Sequence, residues 1–288
     1  MAKPVIAVIA PGAMGAAVGA RLAEKGADVI TSLSGRSAAS AERAKKAQMR
    51  AVADAQIPDA GIILSIVPPS DALGLAQRLA PVLRTARHKP LYVDCNAVSP
   101  KTAKAVAAVI AETGCPFADG GIIGGPPRAG YNGPNLYISG VPASSVAVLS
   151  AHGLSVPVID GPVGAASALK MSYAAITKGL TALGSVSILA SSRSGAADAL
   201  RRELAESQPH LLAFLSRSVP DMFVKAYRFV GEMEEISSFA TSDAGRDIYQ
   251  GIADLYQQLA DDQNGDKEDI GALAEFFSSE AGKQRAAE

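Results

Sequence analysis

The sequence contains very little cysteine and histidine. Its two cysteines, Cys95 and Cys115, are too few for a disulfide framework and lack the spacing of a zinc site. The three histidines fall in no metal-ligand pattern. We therefore expect no bound metal, and a reducing compartment, the cytoplasm, as the location of the protein.

The chain also lacks an excess of charge of either sign. It has 27 Lys and Arg against 28 Asp and Glu, a net charge of -1, which gives neither a basic surface for nucleic acid nor an acidic tail. No export signal is recognisable at the N-terminus, and the uncharged stretch 179–192 is diluted with Gly, Ser and Thr and is too short to span a bilayer. We expect no membrane or nucleic-acid partner, and small molecules as the ligands.

A strand, a tight turn and a helix are predicted close to the N-terminus. Apolar residues from Val5 lead into a turn with Gly12 and Gly15, and small apolar residues then recur at helical spacing. Gly12 would let a pyrophosphate approach the backbone, and Gly15 would let the helix pack against the strand. The turn, with Ala13 and Met14 between the two glycines, is typical of a dinucleotide site, although Ala10 and Pro11 replace the first positions of the glycine fingerprint.

The loop after the second predicted strand indicates which dinucleotide binds. Where NAD-preferring sites carry an acidic residue, this sequence has Leu33 and Ser34, followed by Gly35, Arg36 and Ser37. A guanidinium between two hydroxyls suits a 2′-phosphate, because Arg forms forked, charge-assisted hydrogen bonds. The sequence therefore predicts NADP as the cofactor, bound in part by Ser34, Arg36 and Ser37.

Strand and helix patterns alternate through the first half of the chain. This alternation predicts a parallel, doubly wound sheet with helices on both faces. Ligands of such sheets bind at the carboxyl ends of the strands, so one rim should carry several residues far apart in sequence. These are Gly12, Arg36, Val67, Pro68 and Asn96. The Gly- and Pro-rich run 120–134 is predicted to be irregular backbone that something approaches closely.

From residue 164 onward the pattern is helical, with no strand signal. We predict an α/β domain over 1–163 and an all-α domain over 164–288, joined by a long helix. Between residues 161 and 192 the only charged side chains are Lys170 and Lys178, which lie about 80° apart around a helix and so roughly share a face. The helix is predicted to be buried around most of its circumference, and a buried ammonium needs a partner or a task.

With these lysines the sequence resembles the β-hydroxyacid dehydrogenase superfamily, which includes 3-hydroxyisobutyrate and 6-phosphogluconate dehydrogenases. The resemblance rests on APGAMG, SIVPPSDA, DCNAVSPKT, DGGIIGG and GAASALKMSYAAITKG, and YRFVGEMEEI resembles the branch with a phosphogluconate-dehydrogenase-like helical domain. It implies a Rossmann-type NADP-binding domain followed by a helical substrate and dimerisation domain, in a homodimer formed through the helical domains.

The resemblance also implies roles for individual residues. The family lysine that exchanges a proton with the substrate hydroxyl corresponds to Lys170, and the nicotinamide-side loop corresponds to Val67 and Pro68, with Asn96 where a serine is usual. The substrate loop corresponds to Ile123, Gly124 and Gly125, with Ile123 in place of the family serine, and Lys178 is assigned to the same substrate site. Tyr173 replaces the family asparagine and is predicted to share in proton transfer. Arg128 is a further candidate for substrate contact.

The predicted reaction is hydride transfer between the nicotinamide and a hydroxyl or carbonyl carbon of a small hydroxyacid-like substrate. Imine reduction is an alternative, since relatives of this architecture reduce C=N bonds, and oxidative decarboxylation is another. A non-enzymatic alternative is a sensor that binds NADPH without turnover.

Overall fold

The computed structural model describes residues 3–284 and divides the chain into two compact units, Met1–Met171 and Ser172–Glu288. The division falls within one long helix, later than the predicted boundary between residues 163 and 164. The predicted architecture, an α/β sheet domain followed by an all-α region with a long joining helix, is confirmed.

The first unit is built on one sheet of seven strands in the order β3-β2-β1-β4-β5-β6-β7. All neighbouring pairs are parallel except β6 and β7, which are antiparallel. The strands are β1 (Val5–Ile9), β2 (Asp28–Ser32), β3 (Arg50–Val52), β4 (Ile62–Ser65), β5 (Leu91–Asp94), β6 (Phe117–Ile123) and β7 (Asn135–Ser139).

Helices cover both faces of this sheet, and the strands are accordingly apolar on both sides. Ile6 and Val8 of β1 belong to one buried cluster, whereas Ala7 and Ile9 belong to another on the opposite face. The helices of the first unit are α1 (Ala13–Glu24), α2 (Ala38–Lys46), α3 (Ala72–Thr85), α4 (Pro100–Ala111) and α5 (Ala147–Ala151).

Part of the Gly- and Pro-rich run is regular, contrary to the prediction. The segment from Gly120 to Ile123 belongs to β6. The two glycines there allow neighbouring backbone to approach closely, and they do not make the strand irregular. A Cβ on Gly120 would lie 2.9 Å from the Asp94 carbonyl oxygen, and one on Gly121 would lie 2.7 Å from the Ala166 carbonyl oxygen. The sequence also predicts a last strand over residues 156–159, but this segment forms only an isolated bridge to β7.

A continuous helix, α6 (Ala165–Arg193), joins the two units, and five more helices follow in the described chain. They are α7 (Ala197–Ser207), α8 (Pro209–Met222), α9 (Ala226–Phe239), α10 (Asp243–Asn264) and α11 (Glu268–Gln284). The sequence predicts helix breaks near Pro220 and at Gly231. The first is confirmed, since α8 ends at Met222, whereas the second is wrong, since α9 continues through Gly231. The sequence also predicts that Glu232 lies at the start of a helix, but α9 begins at Ala226 and Glu232 lies in its middle.

Helix α6 is less buried than predicted. Leu169, Tyr173, Ile176, Leu180 and Leu183 are large exposed side chains spaced alternately four and three residues apart, which places them on one stripe of the helix. With 29 residues, α6 is long and apolar enough to cross a membrane by length and composition, so the prediction from residues 179–192 considered too short a segment. Core helices of soluble proteins meet the same two criteria.

Candidate active site

The turn between β1 and α1 has the geometry expected of a dinucleotide site. A Cβ on Gly15 would overlap the Ala10 carbonyl oxygen, so this glycine is needed for packing of α1 against the strand. No atom lies within 4 Å of a Cβ on Gly12, so protein packing does not require glycine there. The first turn of α1, which includes Ala13 and Met14, has neither a capping side chain nor an acidic residue. Its N–H groups are therefore available to a phosphate.

The loop after β2 holds the three residues predicted to bind a 2′-phosphate. Arg36 is half-buried, and its guanidinium makes no hydrogen bond or ion pair with the described residues. The Ser37 hydroxyl caps α2 by accepting a hydrogen bond from the Ser40 N–H at 3.3 Å. Ser34 is exposed, and its N–H donates to the Ser32 hydroxyl. The structure therefore brings Ser34, Arg36 and Ser37 together at the N-terminus of α2.

Three charged residues at this loop were missed by sequence reasoning. The Ser32 hydroxyl donates to the Asp54 carboxylate, so a carboxylate does lie near the end of β2. Arg78 of α3 lies 3.5 Å from the same carboxylate, and its Nη1 donates to the Ser34 carbonyl. Arg43 of α2 donates from Nε to the Pro11 carbonyl oxygen at 2.9 Å. Arg43 lies about one and a half turns into α2, the helix whose N-terminus follows the Arg36 loop, and this position was the available signal.

Asn96 holds the loop that follows β4. Its Oδ1 accepts from the Val67 N–H at 2.6 Å, and its Nδ2 donates to the Ser65 hydroxyl at 2.9 Å and to the Asp94 carboxylate. The side chain is only 3% exposed. Asn96 therefore positions Val67, and through it Pro68, at the carboxyl ends of β4 and β5.

Asp94 and Asp119 are paired in register on β5 and β6, yet their environments differ. Burial, reinforced by the charge of Asp119, raises the pKa of Asp94 to about 7 despite the hydrogen bonds from Asn96. Asp94 Oδ2 has no hydrogen-bond partner. The Asp119 carboxylate is fully bonded, since it accepts from the N–H groups of Gly164 and Ser167 and from the hydroxyls of Ser139 and Ser167.

The Asp119 carboxylate fixes the start of α6, where Lys170 lies. Because it accepts from the first N–H groups of the helix, it acts as a buried cap carried by β6. The Lys170 Cβ is 3.1 Å from the position of a Cβ on Gly121. The Lys170 ammonium is half-buried and forms no ion pair or hydrogen bond with the described residues. Lys170 therefore lies against the strand that leads into the predicted substrate loop.

The predicted substrate loop follows β6 directly. Ile123 is the last residue of the strand and pairs with Asn135 of β7, and Gly124 has a positive φ of 123°. A Cβ on Gly125 would meet no atom within 4 Å. Arg128 lies further along, with its guanidinium 5.5 Å from the centre of the Tyr131 ring.

The two remaining predicted residues belong to the second unit. Tyr173 is half-exposed, and no described residue bonds to its hydroxyl. Lys178 forms an ion pair with Glu232, with side chains 17% and 13% exposed, and its Nζ lies 4.0 Å from the centre of the Phe229 ring. The charge of Lys178 is thus balanced by Glu232, a partner the sequence did not reveal. Among residues 3–284, no group of three His, Cys, Asp or Glu side chains is arranged to hold a metal ion.

Two family models match separate parts of the chain. Residues 5–153 match the family described as the NAD binding domain of 6-phosphogluconate dehydrogenase, and residues 192–259 match a domain of unknown function. An uncharacterised 28.5 kDa protein from Methanothermus fervidus is 30% identical over 218 residues, which cover 75% of this chain and 82% of that protein.

Solved structures share the fold over most of the chain. A conserved protein of unknown function, described as structurally similar to 3-hydroxyacid dehydrogenases, is 26% identical with a TM-score of 0.70 and covers 89% of this chain and 97% of its own. The Mycobacterium tuberculosis 3-hydroxyisobutyrate dehydrogenase, solved with L-serine, is 18% identical with a TM-score of 0.69. The match covers 91% of this chain and 95% of that protein.

An imine reductase from Myxococcus stipitatus, solved with NADP+, is 19% identical with a TM-score of 0.55 and covers 96% of this chain and 100% of its own. A variant of it was solved with NAD+. The fold is therefore that of nicotinamide-dependent oxidoreductases of the 3-hydroxyacid dehydrogenase and imine reductase type. The chain belongs to the β-hydroxyacid dehydrogenase superfamily, in the branch that joins the NAD-binding domain of 6-phosphogluconate dehydrogenase to a helical domain of unknown function.

Proposed function

We propose that this protein is an NADP(H)-dependent oxidoreductase that acts on a hydroxyl or carbonyl carbon of a small, hydroxyacid-like substrate. One observation carries the proposal. The Asp119 cap fixes the start of α6 so that Lys170 lies against Gly121, and its ammonium has no partner among the described residues. Because β6 runs parallel to β5 and Asp119 pairs with Asp94, Gly121 lies two residues beyond the level of Asp94, towards the strand ends where Asn96 lies.

The preference for NADP is supported by the distribution of charge around the loop after β2. Arg36 has no carboxylate partner and is free to bind a phosphate. Asp54 would repel a 2′-phosphate, but Arg78 and Ser32 engage its carboxylate. The N-terminus of α2 adds positive potential beside Ser34 and Ser37.

Each residue has a part in the proposed reaction. Bound nicotinamide supplies the hydride chemistry. Lys170 accepts the hydroxyl proton as an amine when the alcohol is oxidised, and donates it as an ammonium when the carbonyl is reduced. Asn96 keeps the Val67 loop in place, and the Gly124 and Gly125 backbone binds the substrate. Tyr173 follows Lys170 by three residues and is proposed to orient the reacting oxygen.

The direct test pairs cofactor binding with a substrate screen. NADPH and NADH are titrated by fluorescence, and the protein is then assayed with 3-hydroxyacids, their keto acids and aldehydes, and with cyclic imines, with release of CO2 followed separately. We expect turnover of a hydroxyacid or its carbonyl partner with NADP(H). Tight NADPH binding without turnover of any compound would instead indicate a sensor.

Imine reduction is the second candidate, because the imine reductases share this fold. A lysine at position 170 favours an alcohol or carbonyl substrate over an imine. If only the imines in the screen are turned over, imine reduction becomes the favoured function.

We further propose that the protein forms a homodimer through its helical region and is located in the cytoplasm. The exposed apolar stripe on α6 supports the dimer, because its alternating spacing of four and three residues is typical of helices that pack together. Light scattering is expected to give the mass of two chains, and Ile176→Glu to give the mass of one.

A further inference from the structure

The part of the predicted substrate loop that follows Gly125, residues 126–134, folds back on itself. Arg128 and Tyr131 form an isolated antiparallel bridge, and the Tyr131 N–H donates to the Arg128 carbonyl oxygen at 3.2 Å. Arg21 of α1 donates to the carbonyl oxygens of Arg128 and Tyr131 at 3.1 and 3.2 Å, and to that of Gly153 at 3.3 Å. The loop is therefore fixed to the helix that follows the glycine turn.

This folding brings the Tyr131 side chain back to the start of the loop. A Cβ on Gly124 would lie 2.5 Å from the Tyr131 hydroxyl oxygen, and one on Gly133 would lie 2.5 Å from the same oxygen. The hydroxyl is thus placed between two glycine backbones, and any side chain at either glycine would displace it. No described residue forms a hydrogen bond with this hydroxyl.

The position matters because Ile123, directly before the two glycines, offers no polar atom. The next residue, Gly125, is exposed, and no atom lies within 4 Å of a Cβ placed on it, so the backbone there is open to a ligand. The charge of the loop favours an anion, since residues 123–135 contain one arginine and no Asp or Glu. That arginine, Arg128, lies over the Tyr131 ring.

We propose that Tyr131 is a specificity-determining residue, whose hydroxyl donates a hydrogen bond to the carboxylate of a substrate bound on the Gly124–Gly125 backbone. The Tyr131 hydroxyl would take the place of the family serine hydroxyl that Ile123 lacks. This proposal rests on the proposed function, because it names the group by which the same site recognises its substrate.

The test compares an acid with its neutral ester. Calorimetry measures binding of 3-hydroxyisobutyrate and its methyl ester to the NADP+-loaded protein, with wild type, Tyr131→Phe and the control Tyr92→Phe. Tyr131→Phe keeps the ring between the two glycines and removes only the hydroxyl. Tyr92→Phe removes a buried hydroxyl of the same unit that has no hydrogen-bond partner.

We expect wild type to bind the acid more tightly than the ester. Tyr131→Phe should weaken the acid about 10- to 100-fold, as for a lost hydrogen bond to a charged group, and change the ester by less than about twofold. Tyr92→Phe should leave both unchanged, and NADP+ affinity should stay constant throughout. If the acid is turned over, its KM should rise in Tyr131→Phe while kcat stays nearly constant.

Equal acid affinity in wild type and Tyr131→Phe would overturn the proposal, as would a wild-type protein that binds the acid no better than the ester. The two proposals fail separately. If acid binding depends on Tyr131 but no compound is turned over, the proposed reaction is wrong and the role of Tyr131 stands. If only neutral compounds are turned over, the role of Tyr131 is wrong and the oxidoreductase activity stands.

Discussion

Helix α6 carries two lysines, and their surroundings differ completely. Lys170 lies in the first unit against Gly121, and its ammonium has no partner among the described residues. Lys178 lies in the second unit, where Glu232 balances its charge and Phe229 covers it. Both were predicted from sequence to serve the active site. Residue type and helical spacing selected both lysines as candidates, and only the folded structure distinguishes the lysine that has a counter-ion from the one that has none among the described residues.

The largest expected effect tests the chemical half of this comparison. Lys170→Ala should lower turnover by about 10²- to 10⁴-fold, because a positioned acid-base group is lost. NADPH affinity and the free energy of unfolding should change little, because the side chain forms no hydrogen bond or ion pair with the described residues. Steady-state kinetics, fluorescence titration and urea unfolding measure the three quantities.

Lys101→Ala is the matched control, since it removes an exposed lysine from the same unit. It should leave turnover unchanged. Wild-type turnover in Lys170→Ala would show that Lys170 does not transfer the proton. The two lysines of α6 would then not differ in function as proposed.

The structural half is tested by Lys178→Ala. The Glu232 carboxylate would then be buried without its counter-ion, which should lower the free energy of unfolding by about 3 kcal/mol. Lys178→Met combined with Glu232→Leu removes both charges and should recover most of the loss. If Lys178→Ala instead leaves urea unfolding unchanged but abolishes substrate binding, Lys178 is a substrate ligand after all.

The two paired aspartates extend the comparison from cations to carboxylates. Burial raises the pKa of Asp94 to about 7, whereas an unfolded Asp titrates near 4. Between these values the unfolded carboxyl is ionised while the folded one keeps its proton, so stability falls as pH rises from 4 to 7 and is then constant. The Asp94 carboxyl should therefore lower the free energy of unfolding of the wild type by about 2 kcal/mol between pH 5 and pH 7.

Asp94→Asn should abolish that part of the pH dependence, because the amide stays neutral at every pH. Urea unfolding of both proteins at pH 5, 6, 7 and 8 checks this. Parallel curves for wild type and Asp94→Asn would show that the Asp94 carboxyl ionises freely in the folded protein.

The fold was predictable because its signals are local. The strand and helix periodicities and Gly15 gave the parallel sheet, the turn and the long helix in the right order. The exceptions have a physical reason, since Gly120 and Gly121 carry no side-chain pattern and their strand is specified by neighbours that approach them closely. Likewise, Gly231 was predicted to break a helix, although α9 continues through it.

The candidate site was predictable only where a motif spans few residues. The glycine turn and the Arg36 loop could be located in this way, whereas the Asp119 cap depends on a pairing between residues 119 and 167 that only the folded sheet creates. The same holds for Glu232 beside Lys178, and for Tyr131 beside Gly124, in a loop to which Arg21 donates hydrogen bonds. Partners of this kind are distant in sequence, and no periodicity reports them.

The smallest expected effect concerns two arginines at the cofactor loop. Arg36 has no counter-ion among the described residues, whereas Arg78 pairs with Asp54. Arg36→Ala should raise the Kd of NADPH about tenfold, because one charge-assisted contact to the 2′-phosphate is lost, and should change the Kd of NADH by less than about twofold. Asp54→Asn should leave the preference for NADPH unchanged, since Arg78 already balances the Asp54 charge. Fluorescence titrations with both cofactors, and the exposed Arg87→Ala as control, measure these values. An equal effect of Arg36→Ala on the two cofactors would place Arg36 outside the phosphate site, and a marked gain in NADPH affinity in Asp54→Asn would show that Arg78 leaves the carboxylate free to repel it.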